Sequence, residues 1–292
     1  MIWLVWTSIA FANTGLEWRW GTGERVSYHV ETVVETPRGR RWYAEENEVA
    51  RATKQMMLMD IDCSGEPSGK RTKLTCIMAE VEFRGVAVVG EEDTLASIMA
   101  RDAARLQGRR LYIEMRPDGR FGSIDLEPSP ALKTSRAARI QDGLLQMIQR
   151  SLAPLDLQLP KDGVDKGKKW KRKGMPLAMK LMTNQGTSGS VAVKHTVTRW
   201  DGPAARIETT GRGTVAEGAT IEQGTSTMLH VRGAARTQFN TELGVIDWSE
   251  ASNEVEYAAA NLEGITGKER SSFSGWVARV GPDGERIEPT SD

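Results

Sequence analysis

The feature that most limits the fold is a two-residue hydrophobic period that returns in segment after segment, each bounded by turn-forming residues. Arg25–Glu35 carries it clearly, with Val26, Tyr28 and Val30 on one face. Thr36-Pro37-Arg38-Gly39 turns the chain, residues 41–53 return it, and 56–62 and 74–89 continue the meander. Beyond Pro160 the segments 177–182, 191–200, 205–210, 214–222, 225–231, 234–240 and 245–257 read as further strands. A last hairpin sets 276–280 against 286–288. A composition with 29 glycines in 292 residues fits many strands and turns better than long helices.

Two segments break the alternation. In 91–107, Leu95, Ile98, Met99, Ala103 and Leu106 fall at helical spacing, Asp93 can cap the start, and Gly108 sits where a left-handed stop is wanted. Ser129-Pro130 opens a stronger helix, in which Ala137, Ile140, Leu144, Ile148 and Leu152 form an apolar stripe flanked by Leu145 and Met147. Arg136, Arg139, Gln146 and Arg150 are expected to face away, and Pro154 ends the helix. Such a stripe must be buried, and the concave face of a curved sheet is the natural receptor. The expected fold is therefore mainly β (α+β), a curved antiparallel sheet or half-barrel with one or two helices on its concave face. Residues 13–292 form one β-rich unit. Arg116-Pro117-Asp118-Gly119 and Gly281-Pro282-Asp283-Gly284 share a turn tripeptide, which suggests two related halves, 13–155 and 156–292.

Residues 1–12, MIWLVWTSIAFA, are apolar and end in Ala10-Phe11-Ala12, the small-x-small pattern before a signal-peptidase cut. About a dozen residues is too short for a span that needs about 20. The expectation is a signal peptide cleaved after Ala12, a periplasmic or secreted location, and no transmembrane span. The two cysteines agree with export. Cys63 and Cys76 flank the turn-rich stretch 64–70, and a hairpin there brings them within disulfide reach.

Catalytic signatures are missing. There is no Gly-x-Ser-x-Gly, His-Glu-x-x-His, phosphate-binding loop or dinucleotide fingerprint. The three histidines, His29, His195 and His230, are scattered over strands, where each reads more readily as a sheet residue than as a general base. Glu45, Glu46 and Glu48 with Asp60 and Asp62 fit no Ca2+ loop and read as a solvated acidic edge. No catalytic residue, metal site or cofactor is therefore assigned. Equal numbers of acidic and basic residues, 39 each, argue against a nucleic-acid binder. That zero conceals a cluster: Lys161, Lys166, Lys168, Lys169, Lys171, Arg172 and Lys173 against Asp162 and Asp165 give +5 around Trp170, while residues 201–292 carry −7. An aromatic in a cationic run can serve an anionic partner or a membrane interface, or it can simply turn into the core.

Several short motifs resemble those of exported bacterial β-rich proteins. Gly23-Glu24-Arg25-Val26-Ser27-Tyr28 is similar to their opening strand, and Leu159-Pro160, Val164 and Gly167 to Trp170 to their second-half motif, with Lys168 where an acid is usual. Phe239-Asn240-Thr241-Glu242-Leu243-Gly244-Val245-Ile246 is similar to their Phe-Asp/Asn hairpin. In architecture the chain resembles the LolA/LppX-like group, which implies a curved unclosed barrel with helices on its concave side and lipids or lipoproteins as cargo. The expected function is a non-enzymatic envelope protein that binds an apolar or amphipathic ligand between sheet and helix, where Met99, Ile140, Leu144, Met147 and Ile148 are candidate lining residues. The alternative is an interaction module that holds an anionic envelope polymer or a partner protein through Lys166, Lys168, Lys169, Trp170, Lys171, Arg172 and Lys173. A hydrolase with scattered catalytic residues is the third reading.

Overall fold

Among the described residues, alternation over long segments produces one antiparallel sheet of eleven strands. The computed structural model describes residues 16–20, 24–35, 52–87, 94–127, 135–160, 164, 166–172, 188–220, 225–261 and 264–289. The strands are β1 (Arg25–Glu35), β2 (Ala52–Ser68), β3 (Arg71–Ala87), β4 (Arg110–Met115), β5 (Phe121–Leu126), β6 (Lys169–Lys171), β7 (Ser188–Asp201), β8 (Ala204–Thr220), β9 (Thr225–Asn240), β10 (Val245–Asn261) and β11 (Gly264–Val280). Helix α1 (Thr94–Ala104) lies between β3 and β4, and α2 (Ser135–Ser151) follows β5. The signal sequence 1–12, residues 41–51 of the strand expected at 41–53, and the strand expected at 177–182 lie outside the described residues.

The sheet order is β5-β4-β3-β2-β1-β11-β10-β9-β8-β7-β6. Two meanders thus run outward from the centre, where the first and last strands pair, Val30 opposite Val277. Among the described residues β5 and β6 are the two edges of the sheet and do not pair with each other, so the sheet does not close. To travel from β5 to β6 the chain must cross the sheet, and α2 with the 3-10 turn Ala153–Leu155 makes that crossing over one face. On this inner face, Tyr28, Met57, Met59, Ile61, Met78, Leu111, Met147, Ile148 and Phe239 belong to one buried cluster. Burying an apolar side chain of this size stabilises by about 1.5–3 kcal/mol, so this cluster is the main energetic reason for the crossing.

Local signals are realised closely. The disulfide Cys63–Cys76 joins directly opposed residues of β2 and β3. Arg116 to Gly119 turns β4 into β5 with Gly119 at φ +84°, and a Cβ there would strike the Trp18 indole. Two departures have physical causes. The expected segments 205–210 and 214–222 merge, as far as residue 220, into the single strand β8, and 225–231 and 234–240 merge into β9. Gly211, Gly213 and Gly233 interrupt the hydrophobic pattern yet keep their ladder pairing, Gly211 opposite Gly233. β11 begins at Gly264, earlier than the expected 276, because Ser, Gly and Lys in 264–275 disguise a strand that pairs on both sides. Its expected return hairpin reduces to a single bridge, Val280 to Arg286. Arg150, expected to face solvent, is buried, with its guanidinium against the Met147 sulfur at 4.0 Å.

Candidate functional site

Four of the five residues expected to line a ligand cavity beneath the helix sit in the packed cluster. Met99, Leu144, Met147 and Ile148 are each 2% exposed or less. The side chain of Ile140 lies outside the described residues. The more open part of the inner face lies beyond the end of α2, under a strap of buried residues, Asp156, Leu157, Gln158 and Leu159.

The strap ties the two free edges together. One Asp156 carboxylate oxygen, Oδ1, accepts the Phe121 backbone N–H of β5 at 3.0 Å, and Oδ2 accepts from Arg172 Nη2, next to β6, at 2.6 Å. Arg172 Nη1 donates to the Asp156 carbonyl at 2.7 Å. The Leu159 N–H donates to the Asp118 carbonyl of the β4–β5 turn at 2.8 Å, and Trp18 Nε1 donates to the Leu157 carbonyl at 3.3 Å. The Asp156 and Arg172 side chains are only 2% and 4% exposed. Charges buried so fully persist only when paired and hydrogen-bonded, as these are. An unclosed sheet is thereby clasped through side chains where a backbone ladder is lacking.

Behind the strap is a cavity of about 70 Å3 lined by Pro154, Leu157, Arg172, Val193, His195, Thr209, Thr237, Ala235, Ala251 and Asn253. His195 is 2% exposed; its Nδ1 shares a 2.8 Å hydrogen bond with Thr209 Oγ1, and its Nε2 has no partner. Burial, reinforced by the Arg172 charge, holds the imidazole pKa down at about 3. The ring is therefore neutral at pH 7. Thr237 and Ser249 share a buried hydrogen bond of 2.9 Å beside it. Further along the same face a second apolar cluster, Val215, Leu229, Val231, Val255 and Phe273, is separate from the main one. Between the two clusters the inner positions are small, Gly211, Gly233, Ala235 and Ala251, and this is where the cavity opens.

The basic segment divides. Lys166, Lys169 and Lys171 are exposed and Lys168 is half-buried. Trp170 turns inward, donates from Nε1 to the Gln158 carbonyl at 2.8 Å and stacks on His195 with centroids 5.1 Å apart. Arg172 faces Asp156 instead of solvent, and Lys173 lies outside the described residues. Of the other histidines, His29 meets Asp60 at 2.5 Å on the outer face, and His230 is exposed, 3.4 Å from Thr214. Among the described residues no group of three His, Cys, Asp or Glu is placed to hold a metal ion, and no helix is long and apolar enough to cross a membrane.

Sequence reasoning missed Asp156, Thr209, Thr237 and Asn253. The last three had a signal, because each is a polar residue at an inward position of an alternating strand. Asp156 had none, since its partners, Phe121 and Arg172, are fixed by tertiary structure.

No protein-family model matches the chain. No curated protein matches it either. Among solved structures it aligns with a protein of unknown function from the DUF3598 family of Nostoc punctiforme, at 8% identity over 86% of this chain and 95% of that one, with a TM-score of 0.11. A likeness that loose carries no argument about function.

Proposed function

We propose that the chain is an exported, non-enzymatic protein of the bacterial envelope that holds an apolar or amphipathic ligand on the inner face of its sheet. The observation that carries this reading is the small-residue cavity under the strap, set between two apolar clusters. The apolar leader 1–12 and the disulfide support export, which is the compartment where disulfides persist. An unclosed sheet crossed by a helix also suits the proposed kinship with the LolA/LppX-like group.

The cavity of about 70 Å3 has room for a few waters, not for an acyl chain. Entry of a lipid therefore requires the strap to lift, and the Asp156–Arg172 clasp is the contact that resists. Native mass spectrometry and solvent extraction of the purified protein, followed by titration with a fluorescent fatty acid, test the reading. The expected result is a released apolar molecule and faster probe uptake in Asp156→Asn than in the parent. A chain that co-purifies with nothing and takes up no probe in either form would overturn it.

A further inference from the structure

The outer face of the sheet, opposite α2, carries a second concavity. Across β7 to β11 it sinks into an open groove of about 760 Å3. Its outward floor positions are small, among them Thr210, Ala234, Ser252 and Ser274, so nothing bulky fills it. Above this floor stand Lys194, Arg212 and Arg232, all exposed, with Glu254 beyond them. Arg212 lies directly opposite Arg232 in the ladder, and Lys194 opposite Thr210 is the diagonal neighbour of Arg212. Like charges directly opposed on a sheet destabilise it. The one acid in register, Glu254, reaches Arg232 only at 4.0 Å, with both side chains at least half exposed. Among the described residues no carboxylate pairs with Arg212 or Lys194. Cations on other parts of the surface are matched more closely, Lys54 to Glu35 at 3.2 Å and Arg84 to Glu82 at 2.6 Å.

We propose that this groove binds a phosphate group carried on a small molecule, with Arg212 and Arg232 gripping the oxyanion from both sides. Guanidinium forks fit phosphate bidentately, and an anion between them turns a repulsive pair into an attractive triad. Three cations and one carboxylate leave a local excess of two positive charges. A phosphate monoester, at about −1.5 to −2 near pH 7, matches that excess better than a carboxylate does. Lys194 closes the rim, and the hydroxyls of Thr210, Ser252 and Ser274 can hydrogen-bond the remainder of the ligand. A recess suits a small phosphate that can enter it, whereas a planar bilayer would meet only its rim. The groove lies on the face opposite the apolar cavity, so this inference stands apart from that reading.

Calorimetric titration with pyrophosphate at low salt tests it, alongside sedimentation with phosphatidylglycerol vesicles. Pyrophosphate should bind the parent chain and weaken as salt is raised. Arg212→Ala and Arg232→Ala should each weaken binding about tenfold or more, the size of a lost charged hydrogen bond. Glu254→Gln should tighten it, and Lys166→Ala/Lys169→Ala should leave it unchanged. Without ligand, the melting temperature of each arginine variant should hold or rise as the repulsion is relieved. The proposal is overturned if the parent binds no pyrophosphate, if the arginine variants bind as well as the parent, if binding depends on the lysines, or if vesicles are retained while pyrophosphate is not. A fall in the ligand-free melting temperature of both arginine variants would assign them to folding and likewise sink it.

Discussion

The inner face of one sheet is filled in two ways. Under α2 it carries Tyr28, Met57, Met59, Met78 and Phe239, which together with Met147 of the helix make a packed interior. In the middle of β8 to β10 the same alternating positions carry Gly211, Gly233, Ala235, Ala251, Thr209, Thr237 and Asn253, and a cavity remains. Both regions obey the same two-residue period. The period decides which side chains point inward, but their volume decides whether the space is filled, so sheet formation and cavity formation are written separately in one strand.

The sharpest way to break the comparison is to cut the contact that spans both regions. Asp156→Ala removes the acceptor from buried Arg172 and from the Phe121 N–H, leaving an uncompensated charge between the packed edge β5 and the hollow side near β6. Loss of one partner of such a pair costs about 3–5 kcal/mol, to be read from the urea midpoint. Asp156→Ala/Arg172→Met should recover most of that, because no charge is then stranded. If the double variant is as unstable as the single, the clasp is not what holds the edges.

A smaller loss falls on the packed side alone. Cys63 and Cys76 close a loop with a sequence separation of 13 between β2 and β3. Cys63→Ala/Cys76→Ala should cost about 3 kcal/mol in the chain-entropy account, with the same urea midpoint as readout. A change below about 1 kcal/mol would mean that the Met-rich packing already constrains this hairpin without the bond.

On the hollow side acid should act through one buried ring. His195 has its folded-state pKa depressed to about 3 against an unfolded value of 6.5, so between those limits the unfolded chain binds more protons. Stability contributed by the neutral ring is whole above about pH 6.5 and is lost as pH falls toward 3, by at most about 1.4 kcal/mol per unit, or about 2 kcal/mol at pH 5. His195→Gln should flatten that part of the stability curve. A parent and variant with parallel curves from pH 7 to 4.5 would show that the ring protonates in the folded chain without penalty.

Much of this contrast could be read in advance, and the reason for the remainder is specific. The disulfide, the Pro-Asp-Gly turn at Arg116 to Gly119, the helix carrying Leu144 and Ile148 and most of the strands follow from local pattern, because each is settled by residues close in sequence, whereas the pairing of β1 with β11 that leaves β5 and β6 at the edges is not. The expectation of lining residues at Met99 and Met147 rested on helical spacing, which carries no information on volume; both side chains are buried in the packed cluster. Glycines at 211, 213 and 233 broke the hydrophobic pattern and divided β8 and β9 in the reading, although ladder pairing tolerates them. Asp156 is 35 residues from Phe121 and 16 from Arg172, and no periodic rule connects them.

The finest test uses the same substitution on the same kind of surface in the two regions. Ala205 and Ala235 both lie on strands and both point inward; Ala205 is fully buried in the main cluster, whereas Ala235 borders the cavity. Strand propensity favours valine equally at both, so it drops out of the difference. At Ala205 two added methyl groups must displace neighbours such as Ile207 and Phe239 in a close-packed interior, at about 1–3 kcal/mol. At Ala235 the added groups enter space that already exists, so Ala235→Val should be neutral or stabilising by up to about 1 kcal/mol through new apolar burial. Thermal melts of the two variants give the sign directly. Equal destabilisation at both positions would show that the middle of the sheet is as tightly filled as the helix-covered part, and the distinction between a packed and a hollow inner face would fall with it.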